Sequence, residues 1–248
     1  MTSNEQDNGK YEVYCLNFNN ENRRHVMTKE FNKFEGGLDI KWHKGVDPSD
    51  SRISPYLMDE NMKKTWSTCY GHLDMINAFV SNSNKEHAIF CEDDILIRND
   101  FIKHMPELVT IFNQQNLDVL LLGYLCENRI DQYNNFPEKP VIKSPGFPFK
   151  ILDYIGMESV WGTQMYMLSK KQARILLNKY YVGYAERTLR NPGMTPFSAD
   201  WTITKDGNHA LVYPLLVIEN GNTYYDNYGQ LRSHNACYNF SYSKHLFD

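Results

Sequence analysis

The stretch Ala88-Ile89-Phe90-Cys91-Glu92-Asp93-Asp94-Ile95-Leu96-Ile97 decides how the rest of the chain is read. Four apolar residues precede three acids, and three more apolar residues follow. The first run is too short for a buried helix and predicts a strand covered on both faces. Adjacent carboxylates repel one another and resist desolvation unless a cation sits among them. In open α/β sheets, ligands bind beyond the carboxyl ends of the strands, which is where the acidic triplet falls. Hard oxygen donors suit Mg²⁺ or Mn²⁺, and such ions usually carry a substrate phosphate. The alternative is an acidic, solvated turn that leads into the next helix.

Upstream, Met62, Trp66, Cys69, Tyr70, Leu73, Ile76, Asn77 and Val80 recur at helical spacing. They predict an amphipathic helix over 61–80 that delivers the chain to the Ala88 strand. Before it, residues 11–18 read as the first strand and 19–24 as a polar loop. A helix over 25–34 carries Val26, Phe31 and Phe34 inward and ends at Gly36-Gly37. Residues 38–42 form a second strand, and Gly45-Val46-Asp47-Pro48 turns the chain out of it.

Downstream, Asn99 or Asp100 caps a helix running to about Asn113, and 118–123 is another buried strand. This alternation predicts one α/β domain over 11–248 with a mostly parallel sheet and helices on its faces. Prolines at 137, 140, 145 and 148 break the pattern between Tyr124 and Gly156, predicting a long surface loop of the kind that forms lids. Residues 160–168 resume as a strand, and Ser169 opens a helix in capping-box form. Ser198 caps a short helix over 199–205, stopped by Gly207. Residues 210–218 read as the last strand, with Pro214 marking an edge or a bulge. From about 220 the tail is rich in Tyr, Asn and Ser and is expected to wrap the surface.

Composition narrows the function classes. Apolar residues make up 42% of the 248 positions, enough for one large core. A net charge of −4 offers no basic surplus for nucleic acid or an anionic membrane. No run approaches the ~20 apolar residues of a membrane span. Five cysteines without paired spacing argue for a reducing compartment, and against a disulfide framework or a structural zinc site. Residues 1–10 are polar, read as disordered and do not resemble a signal peptide. The expectation is a cytoplasmic protein, of microbial or viral origin.

The order of motifs resembles glycosyltransferase family 25, which includes lipooligosaccharide glycosyltransferases and collagen hydroxylysine galactosyltransferases. Leu16-Asn17-Phe18, with Arg24 seven residues after Asn17, is similar to the family's opening I-N-L strand and following D-R. Gly45-Val46-Asp47 resembles A-V-D, Gly71-His72-Leu73 resembles S-H-L, and Phe90 to Ile95 resembles I-L-E-D-D-V. Leu121-Leu122-Gly123, the segment Trp161 to Ser169, and Ala199-Asp200-Trp201 follow at matching distances. The chain departs from the pattern at Arg23, where an Asp is common, and at Gly71, where the family has Ser.

The resemblance implies a GT-A-like (Rossmann-like) fold, a UDP-sugar donor, a divalent metal (Mn²⁺ or Mg²⁺) and inversion at the anomeric carbon. It makes Asp94 the expected metal ligand, with Glu92 beside it through water or the ribose, and Asp93 turned elsewhere on the donor side. His234 near the C-terminus is a further candidate ligand, or an exposed tail residue. Asn17 and Arg24 border the expected nucleotide site, where Arg24 either pairs a phosphate or is simply solvated. Asp47 accepts from uracil or ribose, or serves its turn. His72 is a donor contact or a core histidine, and Trp161 stacks on a sugar or belongs to the core. Asp200 is the expected catalytic base; otherwise it complements a helix dipole. The expected reaction transfers galactose or glucose to a hydroxyl, on hydroxylysine of a collagen-like protein or on a lipooligosaccharide sugar. The alternatives are a sugar nucleotidyltransferase and an inactive carbohydrate-binding relative.

Overall fold

The computed structural model of the chain describes residues 10–126, 130, 136–154, 159–220, 228–238 and 244–247. The stretch expected to be disordered, apart from Lys10, lies outside them. The strands are β1 (Tyr11–Asn17), β2 (Leu38–Lys44), β3 (His87–Glu92), β4 (Ile95–Ile97), β5 (Val119–Cys126), β6 (Lys150–Leu152), β7 (Val160–Ser169), β8 (His209–Tyr213) and β9 (Val217–Glu219). The helices are α1 (Glu21–Asn32), α2 (Glu60–Asn82), α3 (Phe101–Gln114), α4 (Lys170–Tyr180), α5 (Tyr184–Arg190), α6 (Ala199–Thr202) and α7 (Tyr228–Tyr238). Seven strands form one sheet in the order β2-β1-β3-β7-β5-β8-β6, and β4 pairs with β9 beside it.

The first three strands are mutually parallel. β7 runs antiparallel between β3 and β5, while β8 follows β5 and β6 reverses against β8. The fold is therefore α/β with a mostly parallel central sheet, as the strand and helix pattern predicted.

Period-two alternation sends successive strand residues into two cores. Tyr14, Phe90, Tyr166 and Leu168 face α2 and α4, where Leu73, Phe79 and Leu176 meet them. Val13, Cys15, Ile89, Cys91, Met165 and Met167 face the other way, against Phe31 of α1 and Phe101, Met105 and Leu108 of α3. On the first face Tyr14, Phe90 and Tyr166 stack across three neighbouring strands, at centroid distances of 5.3 and 5.4 Å. Truncating a buried ring of this kind to Ala costs about 3–5 kcal/mol. Of the spaced residues of α2, Trp66, Cys69, Tyr70, Leu73 and Ile76 are buried as predicted, whereas Met62 and Asn77 are exposed and Val80 is half-buried; the Asp59 side chain caps the helix by accepting from the Met62 amide. Ser169 caps α4 in the same way, through the Gln172 amide.

Several boundaries differ from the expected ones, each for a local reason. α1 begins at Glu21 rather than His25, because the Asn20 side chain accepts the Arg23 amide and starts the helix four residues earlier. The proline-rich segment contains β6, which joins the sheet at its edge. Residues 210–218 are two strands, because Pro214 ends β8 and the chain then turns so that β9 pairs with β4. Pro214 thus lies beyond a strand rather than in an edge or a bulge. α6 stops at Thr202, and Ser198 caps it through its carbonyl, which accepts from Thr202, rather than through its side chain. The tail is not wholly irregular, since α7 lies within it. All five cysteines are buried thiols. Among the described residues, no helix is long and apolar enough to cross a membrane.

Candidate functional site

β1, β2 and β3 end at one edge of the sheet, and β7, being antiparallel to β3, begins there. This brings the acidic triplet, Asn17 and the Trp161-Gly162-Thr163 segment to the same place. Glu92 shares the sheet face of Phe90 and so points toward α2. The Thr163 hydroxyl donates to its carboxylate at 2.7 Å, and His72 Nε2 lies 3.5 Å from the same oxygen. Asp93 turns the other way, accepting from Asn17 Nδ2 at 2.5 Å and from Arg23 Nη1 at 3.0 Å. Arg23 Nη1 is also 3.1 Å from Asp94 Oδ2, whereas Asp94 Oδ1 is buried and has no hydrogen-bond partner among the described residues. The pairing of β4 with β9 sets Glu219 opposite Ile95, and the Asn220 amide bonds the Asp94 carbonyl. Glu219 in turn meets His234 Nδ1 at 2.6 Å.

Charge in this cluster is not balanced. Burial, then Glu92 and Glu219, push the Asp94 carboxyl well above its ordinary range, and Arg23 offsets only part of this. Asp93 and Glu219 are also raised, chiefly by burial. Burial opposes the Glu92 charge too, yet His72, Thr163 and Arg23 outweigh it and hold Glu92 below the usual range. Asp200 stands apart at the start of α6. Its Oδ1 accepts the Gly162 amide hydrogen at 2.6 Å, while burial and then Glu92 raise its carboxyl.

The cleft over this edge has two arms. One, of about 350 Å³, is largely apolar, with Leu16, Phe18, Val46 and Pro48 in its wall. The other, of about 570 Å³, is polar and is lined by Asp94, Asp200, Trp161, Glu219 and His234 among others. Arg23, Lys64, Thr68 and Glu92 belong to both walls, so the arms meet there. Phe18 is half exposed in the apolar arm. Gly45 makes room for it, because a Cβ at position 45 would stand 2.6 Å from the Phe18 ring.

Among the expected site residues, Glu92, Asp94, Asp200, Trp161 and His234 line the polar arm. Asn17 lies behind it, holding Asp93. Three others lie outside the lining of the polar arm. Arg24 is exposed and lies over the Trp42 ring at 5.0 Å, whereas Arg23 lines the cleft. His72 is fully buried between Tyr166 and Glu92, with Nδ1 3.1 Å from the Tyr166 hydroxyl and Nε2 3.5 Å from a Glu92 oxygen, the placement of a core histidine. One oxygen of the Asp47 carboxylate accepts from the amide and hydroxyl of Ser49, as in the turn role. Sequence reasoning missed Glu219, Lys64 and Phe18. Lys64 lies on the helix recognised over 61–80, but its spacing carried no signal for the site; Glu219 gave none either, because only the β4–β9 pairing brings it in.

Among the described residues no three His, Cys, Asp or Glu side chains form a ready-made metal cage. The donors still suit a hard divalent cation held by one or two carboxylates, with water and phosphate oxygens completing its shell. The unpartnered Asp94 Oδ1 is the atom that fits this use.

No family model and no curated protein matches the chain. Solved structures resemble it distantly, among them the following three. A glycosyltransferase involved in the glycosylation of the major capsid of PBCV-1 has a TM-score of 0.39 at 8% identity, over 82% of this chain and 81% of the other. A mannose-1-phosphate geranyltransferase from Thermus thermophilus has a TM-score of 0.39 at 10% identity, over 82% and 73%. HddC from Yersinia pseudotuberculosis has a TM-score of 0.34 at 10% identity, over 84% and 93%. At these scores the likeness carries no functional argument, and the geometry of the cleft has to supply one.

Proposed function

We propose that the chain is a metal-dependent, inverting glycosyltransferase that moves a hexose from a UDP-sugar to an acceptor hydroxyl. The observation that carries this reading is the two-armed cleft. Its apolar arm holds an exposed ring, its polar arm holds separate carboxylates, and two cationic side chains stand where the arms meet. A nucleoside diphosphate sugar has the same three parts in the same order. The base would lie on Phe18, and the diphosphate would lie beside Arg23 and Lys64. The sugar would enter the polar arm, with Trp161 offering it a flat face.

Asp94 would hold Mn²⁺ or Mg²⁺, with His234 near by and Glu92 acting through water or the ribose. The ion's chemistry is to neutralise the departing diphosphate. Asp200 is the base: burial makes its carboxylate more basic, and the Gly162 amide fixes one oxygen while the other is left for the acceptor proton. A single base set apart from the Asp94 cluster suits direct displacement with inversion. Galactose and glucose both suit the donor role, and hydroxylysine in a collagen-like chain or a lipooligosaccharide sugar suits the acceptor role. A sugar nucleotidyltransferase would need a glycine-rich loop after β1 to cradle phosphates. Here the link to α1 is Phe18-Asn19-Asn20, which contains no glycine.

Calorimetry with UDP, with and without Mn²⁺, tests the reading, followed by a screen of UDP-sugars for Mn²⁺-dependent hydrolysis. The expected result is UDP binding that requires the ion. Absence of metal-dependent UDP binding overturns the proposal.

A further inference from the structure

Arg23 occupies an unusual position for a cation. The Asn20 cap starts α1 so that the Arg23 side chain leans over the end of β3, with one nitrogen 3.0 Å from Asp93 Oδ1 and 3.1 Å from Asp94 Oδ2. Its side chain is 28% exposed and lines both arms of the cleft, so it stands in the wall with room to turn. Asp94 is only 8% exposed, and its second oxygen has no partner among the described residues. Asp93 has a second donor in Asn17, so it is not stranded if Arg23 leaves.

We propose that Arg23 is a displaceable internal counter-ion that couples divalent-cation binding to diphosphate binding. The inference rests on the donor site described above. In the free protein the guanidinium pairs the Asp93–Asp94 carboxylates and discourages an ion at Asp94, since two cations beside one carboxylate repel each other. A diphosphate entering the junction of the arms offers the guanidinium a two-pronged partner of higher charge. The guanidinium moves to the phosphate and Asp94 becomes available to the ion. Each ligand then tightens the other, and the coupling is reciprocal. Until donor and metal arrive together, Arg23 in this way offsets part of the charge of the acidic triplet.

The test is calorimetry on wild type and Arg23→Gln, with Mn²⁺ alone, UDP alone and both. Gln keeps much of the side-chain length without the charge, and the half-buried position in the cleft wall leaves no cavity in the apolar core. In wild type, Mn²⁺ alone binds weakly and UDP tightens it at least tenfold. In Arg23→Gln, Mn²⁺ alone binds about tenfold tighter than in wild type, and UDP adds correspondingly less. Thermal melting gives a second readout: Mn²⁺ without nucleotide should raise the Tm of Arg23→Gln more than that of wild type. If wild type binds Mn²⁺ and UDP together but Arg23→Gln binds Mn²⁺ alone no tighter, the counter-ion role is overturned and the donor site stands. If wild type binds no UDP with Mn²⁺, the donor site and the counter-ion role fall together.

Discussion

Asp200 Oδ1 accepts the Gly162 amide hydrogen at 2.6 Å, and the backbone that presents this hydrogen belongs to glycine alone. Gly162 has φ of +120°, and a Cβ there would stand 1.9 Å from Gln164 Oε1. The start of β7 is therefore bent toward α6, and one oxygen of Asp200 is fixed by a main-chain donor. The structure shows no hydrogen bond from a described residue to the other oxygen, and Asp200 lines the polar arm. A carboxylate held by one oxygen and open at the other can be aimed at a hydroxyl without being consumed by its own support.

Asp200→Asn keeps the shape and still accepts from Gly162, but cannot take a proton. It should leave UDP and Mn²⁺ affinities within about twofold while transfer falls by about 10²–10⁴, the usual worth of a general base. Steady-state transfer at saturating acceptor decides the matter. A loss below tenfold makes Asp200 a support for the β7 bend only. The base would then be sought in Asp153 or Glu186, or in Glu158, which lies outside the described residues. Asp153 is itself bonded to Lys139 at 2.9 Å.

The pH profile offers an independent check. Burial and then Glu92 raise the Asp200 carboxyl, and a base acts in its ionised form. Activity should therefore be full above the raised value and fall as pH drops through it. The acid limb of kcat/KM should lie above the ordinary Asp value of about 3.9. A limb at or below that value would mean that the titrating group is not Asp200.

Much of this site was legible from local sequence. The acidic triplet behind an apolar run marked the strand end, and a five-turn apolar stripe marked α2. What failed did so through rotation or long-range pairing. Arg24 was expected from the match to the family's D-R, whereas α1 begins at Glu21 and sets Arg23 over the acidic triplet; adjacent residues on a helix point about 100° apart. The direction of β7 was hidden because a strand buried on both faces reads the same either way. Glu219 reaches Asp94 only because β9 leaves the main sheet, a turn that Pro214 hinted at without giving its destination.

Phe18 supplies a third prediction. It is 50% exposed at the end of β1, which costs burial unless a ligand covers the ring. Phe18→Ala should weaken UDP binding about tenfold, the lower range of base–aromatic stacking. Binding of pyrophosphate with Mn²⁺ should stay unchanged, since it has no base. Equal losses for both ligands would place the base elsewhere.

Away from the cleft, Asp100 tests the electrostatics of the scaffold. Arg98 grips it at 2.6 and 2.9 Å, and His104 Nε2 lies 3.0 Å away. The Arg98 hydrogen bonds, with help from His104, draw the Asp100 carboxyl down to about 2. A depressed acid stabilises the fold above its unfolded value of about 3.9 and loses this as pH falls toward the folded value. Asp100→Ala should cost about 1–3 kcal/mol at pH 7, because buried Arg98 loses its partner. Urea unfolding should show the gap narrowing as pH is lowered from 4 toward 2. An unchanged midpoint at pH 7 would show that solvent screens the pair completely.

The last prediction concerns Asp94, where function and stability pull in opposite directions. Its carboxylate is buried beside Glu92 and Glu219, Arg23 reaches one oxygen only, and the other has no partner among the described residues. A buried charge so placed weakens the ion-free fold. Asn is nearly the same size, and its carbonyl oxygen can still accept from Arg23. Asp94→Asn should therefore melt at the same temperature as wild type or higher when no divalent ion is present. The charge is also what would hold the ion. Mn²⁺ with UDP should raise the Tm of wild type and leave that of the variant almost unmoved, and transfer should fall by about 10² or more, as expected when several kcal/mol of charge stabilisation disappear. Melting curves with and without Mn²⁺–UDP measure both effects in one experiment. A variant that is less stable than wild type without the ion, yet still stabilised by Mn²⁺–UDP, would make Asp94 a structural partner of Arg23 and remove it from the metal site.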